Sequence, residues 1–453
     1  MSDTRSLRVA LLGAGTVGGH VARLLLEHHD ELAARAGISL DLVGIAVRDV
    51  NAKRAVDLPA ELFTTDAETL IQGADIVVEL IGGIEPAKSY ILAAIGSGAD
   101  VVTGNKALLA EHGAEIFAAA ARVGAEVYYE AAVAAAIPII RPLRDSLAGD
   151  HVERILAIVN GSTNYILDRM DRFGDSMEDA QRVALELGYL EADPTLDVEG
   201  YDAAQKAAIL AGLAFHTTVP AAGVHREGIS SITLEDVESA REAGYVIKLL
   251  AIAERVADDA GVEGVSARVH PALVRRDHPL ASVHGGNNAV FVEAEAAGPL
   301  MFYGAGAGGV QTASAVLGDV VSIARRHLAG GVGVGESVAA DLPVHPIGAA
   351  ETRYRISLEV DDRPGVLAEL AGILASRGVS VETLQQSTSA ADASASAVAS
   401  DDVAASGEAD RATATLVIGT HSARDAALAA AVEALAASDA VESVRSVLRI
   451  EGA

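Results

Sequence analysis

Arg8-Val9-Ala10-Leu11-Leu12-Gly13-Ala14-Gly15-Thr16-Val17-Gly18 is the stretch that decides the fold. A short apolar run of β type ends in Gly13-x-Gly15-x-x-Gly18 and passes directly into a helical pattern, Val17–His28. The first glycine permits a tight turn, the second lets backbone approach a pyrophosphate, and the third lets helix and strand pack closely. The helix N-terminus, with its unpaired N–H groups, then faces the phosphates. The same glycines also occur in a plain strand–turn–helix, so context decides, and here the motif follows a strand and opens a helix.

Outward from this stretch, Leu42–Val47, Asp75–Ile81, Val101–Thr103 and Val127–Tyr129 read as further buried strands, with helices such as Ala107–Val123 between them. Strands separated by helices predict a parallel sheet covered on both faces, an α/β dinucleotide-binding unit over residues 1–145. The second strand closes in Ala46-Val47-Arg48, with Lys53 and Arg54 close behind. A cation here accommodates the 2′-phosphate of NADP, whereas an acid would bind the ribose hydroxyl of NAD; Asp49, just beyond, keeps NAD possible.

From about Asp150 the texture changes. Val152–Val159 and Ala289–Glu295 alternate as strands, and Met177–Gly188 and Asp202–Leu213 read as helices. This predicts an α+β unit over residues 146–330, ending in a helix at Ala313–Leu328, then a Gly- and Pro-containing linker, 331–350. Residues 351–453 read as a third unit in βαββαβ order. Its strands are Tyr354–Val360, Val379–Leu384, Thr413–Gly419 and Val444–Ile450, and 387–409 is a low-complexity insert.

Composition narrows the function. The 453 residues carry 63 acidic and 34 basic side chains, a net charge of −29, which repels nucleic acid and anionic membranes. No apolar stretch approaches the roughly 18–20 residues of a membrane span. The opening residues run straight into a strand pattern, so the expectation is a cytoplasmic protein without a signal peptide. Cysteine is absent, which excludes disulfides, thiolate zinc sites and a cysteine nucleophile. Lysine is rare: Lys53, Lys88, Lys106, Lys206 and Lys248 are all there are. Lys can give up a proton when its pKa is lowered, whereas Arg in practice cannot.

Two lysines stand in motif-like segments. Thr103-Gly104-Asn105-Lys106 lies at the carboxyl edge of the sheet, where ligands of open α/β sheets collect. Lys206 follows Glu191-Ala192-Asp193-Pro194-Thr195-Leu196-Asp197-Val198-Glu199-Gly200-Tyr201-Asp202. Asp202 and Lys206 could be an ordinary surface pair four residues apart on a helix. Hydride transfer between alcohol and carbonyl, however, needs a group that handles the hydroxyl proton, and a lysine can do so. Glu191, Asp197 and Asp202 suit a substrate bearing an ammonium group. A second glycine cluster, Gly304-x-Gly306-x-Gly308-Gly309, offers either another anion-binding helix start or an interdomain hinge.

Taken together, these segments resemble homoserine dehydrogenase. The similarity runs from about Arg8 to Leu328. It includes Ile81-Gly82-Gly83-Ile84-Glu85-Pro86, Tyr129-Glu130-Ala131-Ala132-Val133 and Asn160-Gly161-Ser162-Thr163-Asn164-Tyr165-Ile166-Leu167, and it is most specific over Gly188–Lys206. Residues from Tyr354 onward resemble an ACT domain, a ferredoxin-like βαββαβ module that commonly binds an amino acid. The resemblance implies an N-terminal Rossmann domain, a catalytic and dimerisation domain and a regulatory ACT domain. It also implies a reaction, the NAD(P)H-dependent interconversion of aspartate 4-semialdehyde and homoserine, with threonine as possible effector. A homodimer or homotetramer is implied as well, and no kinase-sized segment precedes the glycine loop, which speaks against the bifunctional form.

Carried over residue by residue, the resemblance makes Lys206 the proton donor, Asp202 a catalytic carboxylate, and Lys106 a lysine touching both cofactor and substrate. Glu191, Asp197 and Ser162 become substrate-binding positions. Gly13, Gly15, Thr16, Val17, Gly18, Arg48, Thr103, Lys106 and Gly308 become cofactor-binding positions. A structural sodium ion would rest on the backbone carbonyls of Glu130, Val133, Ala135 and Ile137. The chain departs from the family at Ala135-Ala136, where many members have Gly, at Leu190, at Gln311 in place of Pro, and at Ala296-Ala297. The alternatives are a catalytically silent amino-acid sensor on the same scaffold and a dehydrogenase for another hydroxy-amino acid.

Overall fold

The structure is a computed structural model that describes residues 6–330, 340–388 and 413–452. Linker residues 331–339 and insert residues 389–409 lie outside the described residues. Six parallel strands form the first sheet, in the order Phe63–Thr64, Ser39–Ala46, Ser6–Leu12, Ile76–Glu79, Asp100–Thr103 and Val127–Tyr128. Strand order reverses beside Ser6–Leu12, and the crevice for a ligand opens at the carboxyl ends of Leu12 and Glu79. Alternate residues serve two cores. Val9, Leu11, Ile76 and Val78 face one side, while Ala10, Leu12, Val77 and Val101 face the other.

One covering helix comes from far along the chain. The sequence places Ala313–Leu328 at the end of the middle unit, but helix Gly309–Ala329 packs Ala313, Val316, Val320 and Ile323 against Val9, Leu11, Val21 and Leu25. Arg326 and His327 near its end bond to the buried Asp100 of the first sheet. The chain leaves the dinucleotide unit after its sixth strand and later returns to it.

A second sheet runs through the rest of the molecule. Its order is Gly298–Ala305, Asn287–Ala294, Val152–Ile158, Tyr245–Ala257, Glu263–Arg275, Val441–Glu451, Glu351–Asp361, Thr413–Thr420 and Val381–Thr388. The central hairpin, Tyr245–Ala257 with Glu263–Arg275, escapes the sequence reading for a physical reason. Val246–Glu254 is an apolar run broken only by Lys248 before Glu254, which reads as buried helix or strand alike, and the alternating Ser266, Arg268 and His270 of Gly264–Val274 are buried rather than turned to solvent. Helices Gly161–Phe173 and Tyr201–Phe215 pack on this sheet through Ile166, Leu167, Ala207, Leu210 and Ala211. The last four strands, with helices Val366–Ser376 and Asp425–Ala436, make the expected βαββαβ unit. No helix among the described residues is long and apolar enough to cross a membrane.

The C-terminal unit is joined to the middle unit by a β-ladder in which Ala272, Leu273 and Val274 pair in parallel with Arg449, Ile450 and Glu451. Charges are buried beneath this seam. Arg268 is fully buried and donates to Glu254 at 2.7 Å and to Glu451 at 3.2 Å. Removing one member of a buried ionic set leaves the others uncompensated, so Arg268→Met should lower the unfolding free energy by about 3–5 kcal/mol. Urea unfolding of the full chain checks this; an unchanged midpoint would mean that the seam does not tie the units together.

Candidate active site

Helix Tyr201–Phe215 brings the chemistry together. Gly200, at φ 78, turns the chain into it, and a Cβ there would come within 3.3 Å of Val269. Asp202 and Lys206 lie one turn apart on the buried face. The Lys206 ammonium donates to Asp202 Oδ2 at 2.7 Å and to the Val159 carbonyl at 2.7 Å. Asp202 Oδ1 lies 2.7 Å from the ammonium of Lys106, the first residue of helix Lys106–Val123. One carboxylate thus holds two lysines, one from each of the two larger units. The plain surface-pair reading of Asp202 and Lys206 is wrong, because both are buried.

Burial sets the protonation of these groups. It pushes the Lys206 ammonium down, and the charge of Lys106 adds to this; Asp202 opposes the shift only in part. Burial alone would raise Asp202, but the ammonium groups of Lys206 and Lys106 outweigh it and hold the carboxyl below the usual carboxylate range. Burial pushes Asp197 up, partly offset by a hydrogen bond from Asn160. That amide donates to Asp197 Oδ1 at 2.6 Å and to Asp202 Oδ2 at 2.9 Å, while its oxygen caps helix Gly161–Phe173 at Thr163.

The remaining substrate candidates lie along one rim. The Ser162 hydroxyl donates to the Tyr189 carbonyl at 2.5 Å, which fixes the chain just before Glu191. Glu191 itself is exposed and forms no hydrogen bond or ion pair among the described residues. At the cofactor end, the Gly13 N–H donates to Ala46 O at 2.9 Å with φ 97, and a Cβ on Gly18 would lie 2.1 Å from Gly13 O. Gly15, by contrast, has open space around it, as a residue that must let a phosphate approach requires. Thr16 is exposed and Val17 half-buried beside it. A Cβ on Gly309 would lie 2.6 Å from Thr16 O, so the second glycine cluster, with Gly308 at φ 129, abuts the first. Two helix N-termini therefore meet at one rim, and the residues present fit a dinucleotide. Arg48 and Lys53 are exposed without partners among the described residues, whereas Asp49 accepts the Asn51 N–H at 2.9 Å in its own turn.

Thr103 is fully buried, and its hydroxyl donates to Glu79 Oε2 at 2.7 Å. Glu79 Oε1 accepts the N–H groups of Ile81 and Gly82 at 2.8 and 3.2 Å. Asn105 accepts the Leu108 N–H as helix cap and donates to Gly83 O at 2.6 Å. These bonds close a ring that fixes Lys106. Glu79, Asn160 and the Val159 carbonyl were not read from the sequence. The available signal was a polar residue closing an apolar strand next to a helix start.

The carboxylate of Glu130 accepts the N–H groups of Ile139, Ile140 and Arg141 at 2.5, 2.7 and 3.1 Å, so its side chain is already committed. Ala135 stands at φ 52, and no hydrogen bond among the described residues ends on the carbonyls of Val133, Ala135 or Ile137.

Comparison with known proteins is decisive at this point. Family models described as homoserine dehydrogenase, NAD binding domain; homoserine dehydrogenase; and ACT domain match residues 13–130, 138–321 and 354–412. Homoserine dehydrogenase of Corynebacterium glutamicum is 50% identical across 98% of this chain and 95% of its own. That of Mycobacterium tuberculosis is 51% identical across 99% of both. The chain belongs to the homoserine dehydrogenase family.

The crystal structure of a homoserine dehydrogenase from Thiobacillus denitrificans matches with TM-score 0.85 at 39% identity, covering 98% of both chains. A hyperthermophilic archaeal homoserine dehydrogenase in complex with NADPH matches with TM-score 0.59 at 27% identity, over 72% of this chain and 99% of its own. As a homoserine dehydrogenase the chain is an NAD(P)-dependent oxidoreductase acting on a CH–OH group. Because a side chain at position 18 meets backbone, Gly18→Ala should weaken NADPH binding by about tenfold or more through displacement of the loop. Quenching or enhancement of NADPH fluorescence measures it; undiminished affinity would show that the loop does not carry the dinucleotide.

Proposed function

We propose that this chain interconverts aspartate 4-semialdehyde and homoserine, with Lys206 as the acid that protonates the carbonyl oxygen. The buried contact of Lys206 with Asp202, itself bonded to Lys106, carries this reading. When bound, a nicotinamide would supply hydride to the aldehyde carbon. As the carbonyl π electrons move onto oxygen, Lys206 Nζ delivers a proton to that oxygen and becomes a neutral amine. Asp202 keeps the amine aimed and its pKa from falling further, and Lys106 places positive charge at the junction of cofactor and substrate. Glu191 and Asp197 receive the substrate ammonium, and Ser162 holds the adjoining segment. Arg48 favours NADP, and Gly13, Gly15, Thr16, Val17, Gly18, Thr103 and Gly308 build the dinucleotide site.

The carbonyls of Glu130, Val133, Ala135 and Ile137 would hold a sodium ion, a hard cation suited to oxygen donors, as a structural element only. The C-terminal unit would take threonine as effector. A cytoplasmic homodimer or homotetramer completes the proposal.

Lys206→Arg keeps the charge but removes a usable acid, and turnover should fall by about a hundredfold or more with NADPH affinity little changed. The fall in NADPH absorbance on adding aspartate semialdehyde checks this, and near-normal turnover in the variant would defeat the assignment. The acid must enter protonated, so aldehyde reduction declines as pH rises through the pKa of Lys206. Asp202→Asn removes the charge that raises that pKa, and the alkaline limb of kcat should move to lower pH; a limb moving the other way would contradict the pairing. Adding L-threonine to the same assay should depress the rate, and full activity at saturating threonine would remove it as effector.

A further inference from the structure

Lys248, on strand Tyr245–Ala257, has no part in the chemistry above, yet its side chain is fully buried. Burial pushes its ammonium down to about 8, against the pull of Asp168 and Asp171. No carboxylate forms an ion pair with it among the described residues. Its ammonium instead donates to the Val283 carbonyl at 2.6 Å and to Asn164 Oδ1 at 2.9 Å. The Asn164 amide donates in turn to the carbonyls of Val283, Gly285 and Asn287, at 3.2, 2.8 and 3.2 Å. Asp168 accepts the Gly285 N–H at 2.9 Å and bonds His284 Nδ1 at 2.8 Å. Three side chains are thus devoted to holding five residues of loop.

That loop touches the site on two sides. A Cβ on Gly286 would fall 2.2 Å from the Tyr189 ring, and a Cβ on Gly161 would fall 2.6 Å from Gly286 O. Gly161 follows Asn160, which bonds both Asp197 and Asp202, and Tyr189 precedes Glu191 by two residues. On its other side, a Cβ on Gly306 would meet Gly286 O at 2.8 Å. Backbone here packs on backbone and ring with no side chain between, so a small movement of 283–287 displaces the substrate rim directly.

We propose that Lys248 is a positioning residue for the amino-acid substrate, acting through Val283–Asn287 on Tyr189 and Gly161. The proposal rests on the functional reading above and adds to it a determinant of substrate affinity remote from the reacting atoms. The glycine loop at Gly13–Gly18 and its contact with Gly309 are made without this loop, which meets the second glycine cluster only at Gly306, so cofactor affinity changes less than substrate affinity. The test measures kcat, KM for L-homoserine and NADPH affinity in the full chain carrying Lys248→Met or His284→Ala, with thermal unfolding alongside. Expected is a KM about tenfold higher in Lys248→Met and about threefold higher in His284→Ala, with kcat and NADPH affinity within about threefold. A merely structural role would lower the unfolding temperature and leave KM alone, and that result overturns the proposal. Should Lys248→Met fail to fold, an unchanged KM in the exposed His284→Ala overturns it equally. A parent chain that does not oxidise L-homoserine overturns instead the reading on which the proposal rests.

Discussion

A single carboxylate, Asp202, stands between two ammonium groups that reach it from different parts of the chain. Lys106 opens a helix of the dinucleotide unit and Lys206 lies on a helix of the middle unit; each approaches to 2.7 Å. Two lysines this close repel each other, and an unpaired charge so deeply buried would be costly. The carboxylate makes their coexistence possible and fixes the distance between the two units where cofactor and substrate would meet. Its position depends on Gly200, on the Asn160 amide and on the ring of hydrogen bonds from Glu79 to Asn105.

Close backbone contact is the second constraint. Gly18 against Gly13, Gly309 against Thr16, and Gly161 against Gly286 leave no room for a side chain. The helix Gly309–Ala329 can therefore place its N-terminus beside that of Thr16–Glu27, and two sets of unpaired N–H groups share one rim. A chain that wandered through some 180 residues of a second unit returns to complete the first, so the rim where the two helix N-termini meet is not contiguous in sequence.

This geometry explains what could be read in advance. The strands of the first sheet, apart from the two-residue Phe63–Thr64, were legible because helices and turn signals punctuate them, and the C-terminal βαββαβ order because alternation marks its half-exposed strands. The hairpin Tyr245–Arg275 was not: its first strand is an apolar run broken only by Lys248 before Glu254, and the alternation at Ser266, Arg268 and His270 on its second names no partner strand. Lys106 and Lys206 stood out by the rarity of lysine and by their polar neighbourhoods. Lys248 has the same rarity but lies within an apolar strand, where nothing local declares a partner. Glu79 and Asn160 act through bonds to residues as far as 42 positions away, and no spacing rule reaches across a sheet. The returning helix Gly309–Ala329 reads as amphipathic, but amphipathicity names no partner.

The C-terminal unit approaches the same carboxylate along a short physical route. Arg449, on the last strand, bonds Glu227 at 2.8 Å and Asp425 at 2.7 Å. The neighbouring Arg226 lies 3.5 Å above the Tyr201 ring and donates to the Glu199 carbonyl. Tyr201 opens the helix whose next residue is Asp202, and Ile229 N–H is bonded to Val198 O at 2.8 Å. The segment from His225 to Ile229 is thus bonded on one side to the βαββαβ unit and on the other to the turn that aims Asp202. A ligand of that unit alters the site only insofar as it favours one arrangement of these contacts over another. The ladder at Ala272–Val274 and the buried Arg268 restrict those alternatives.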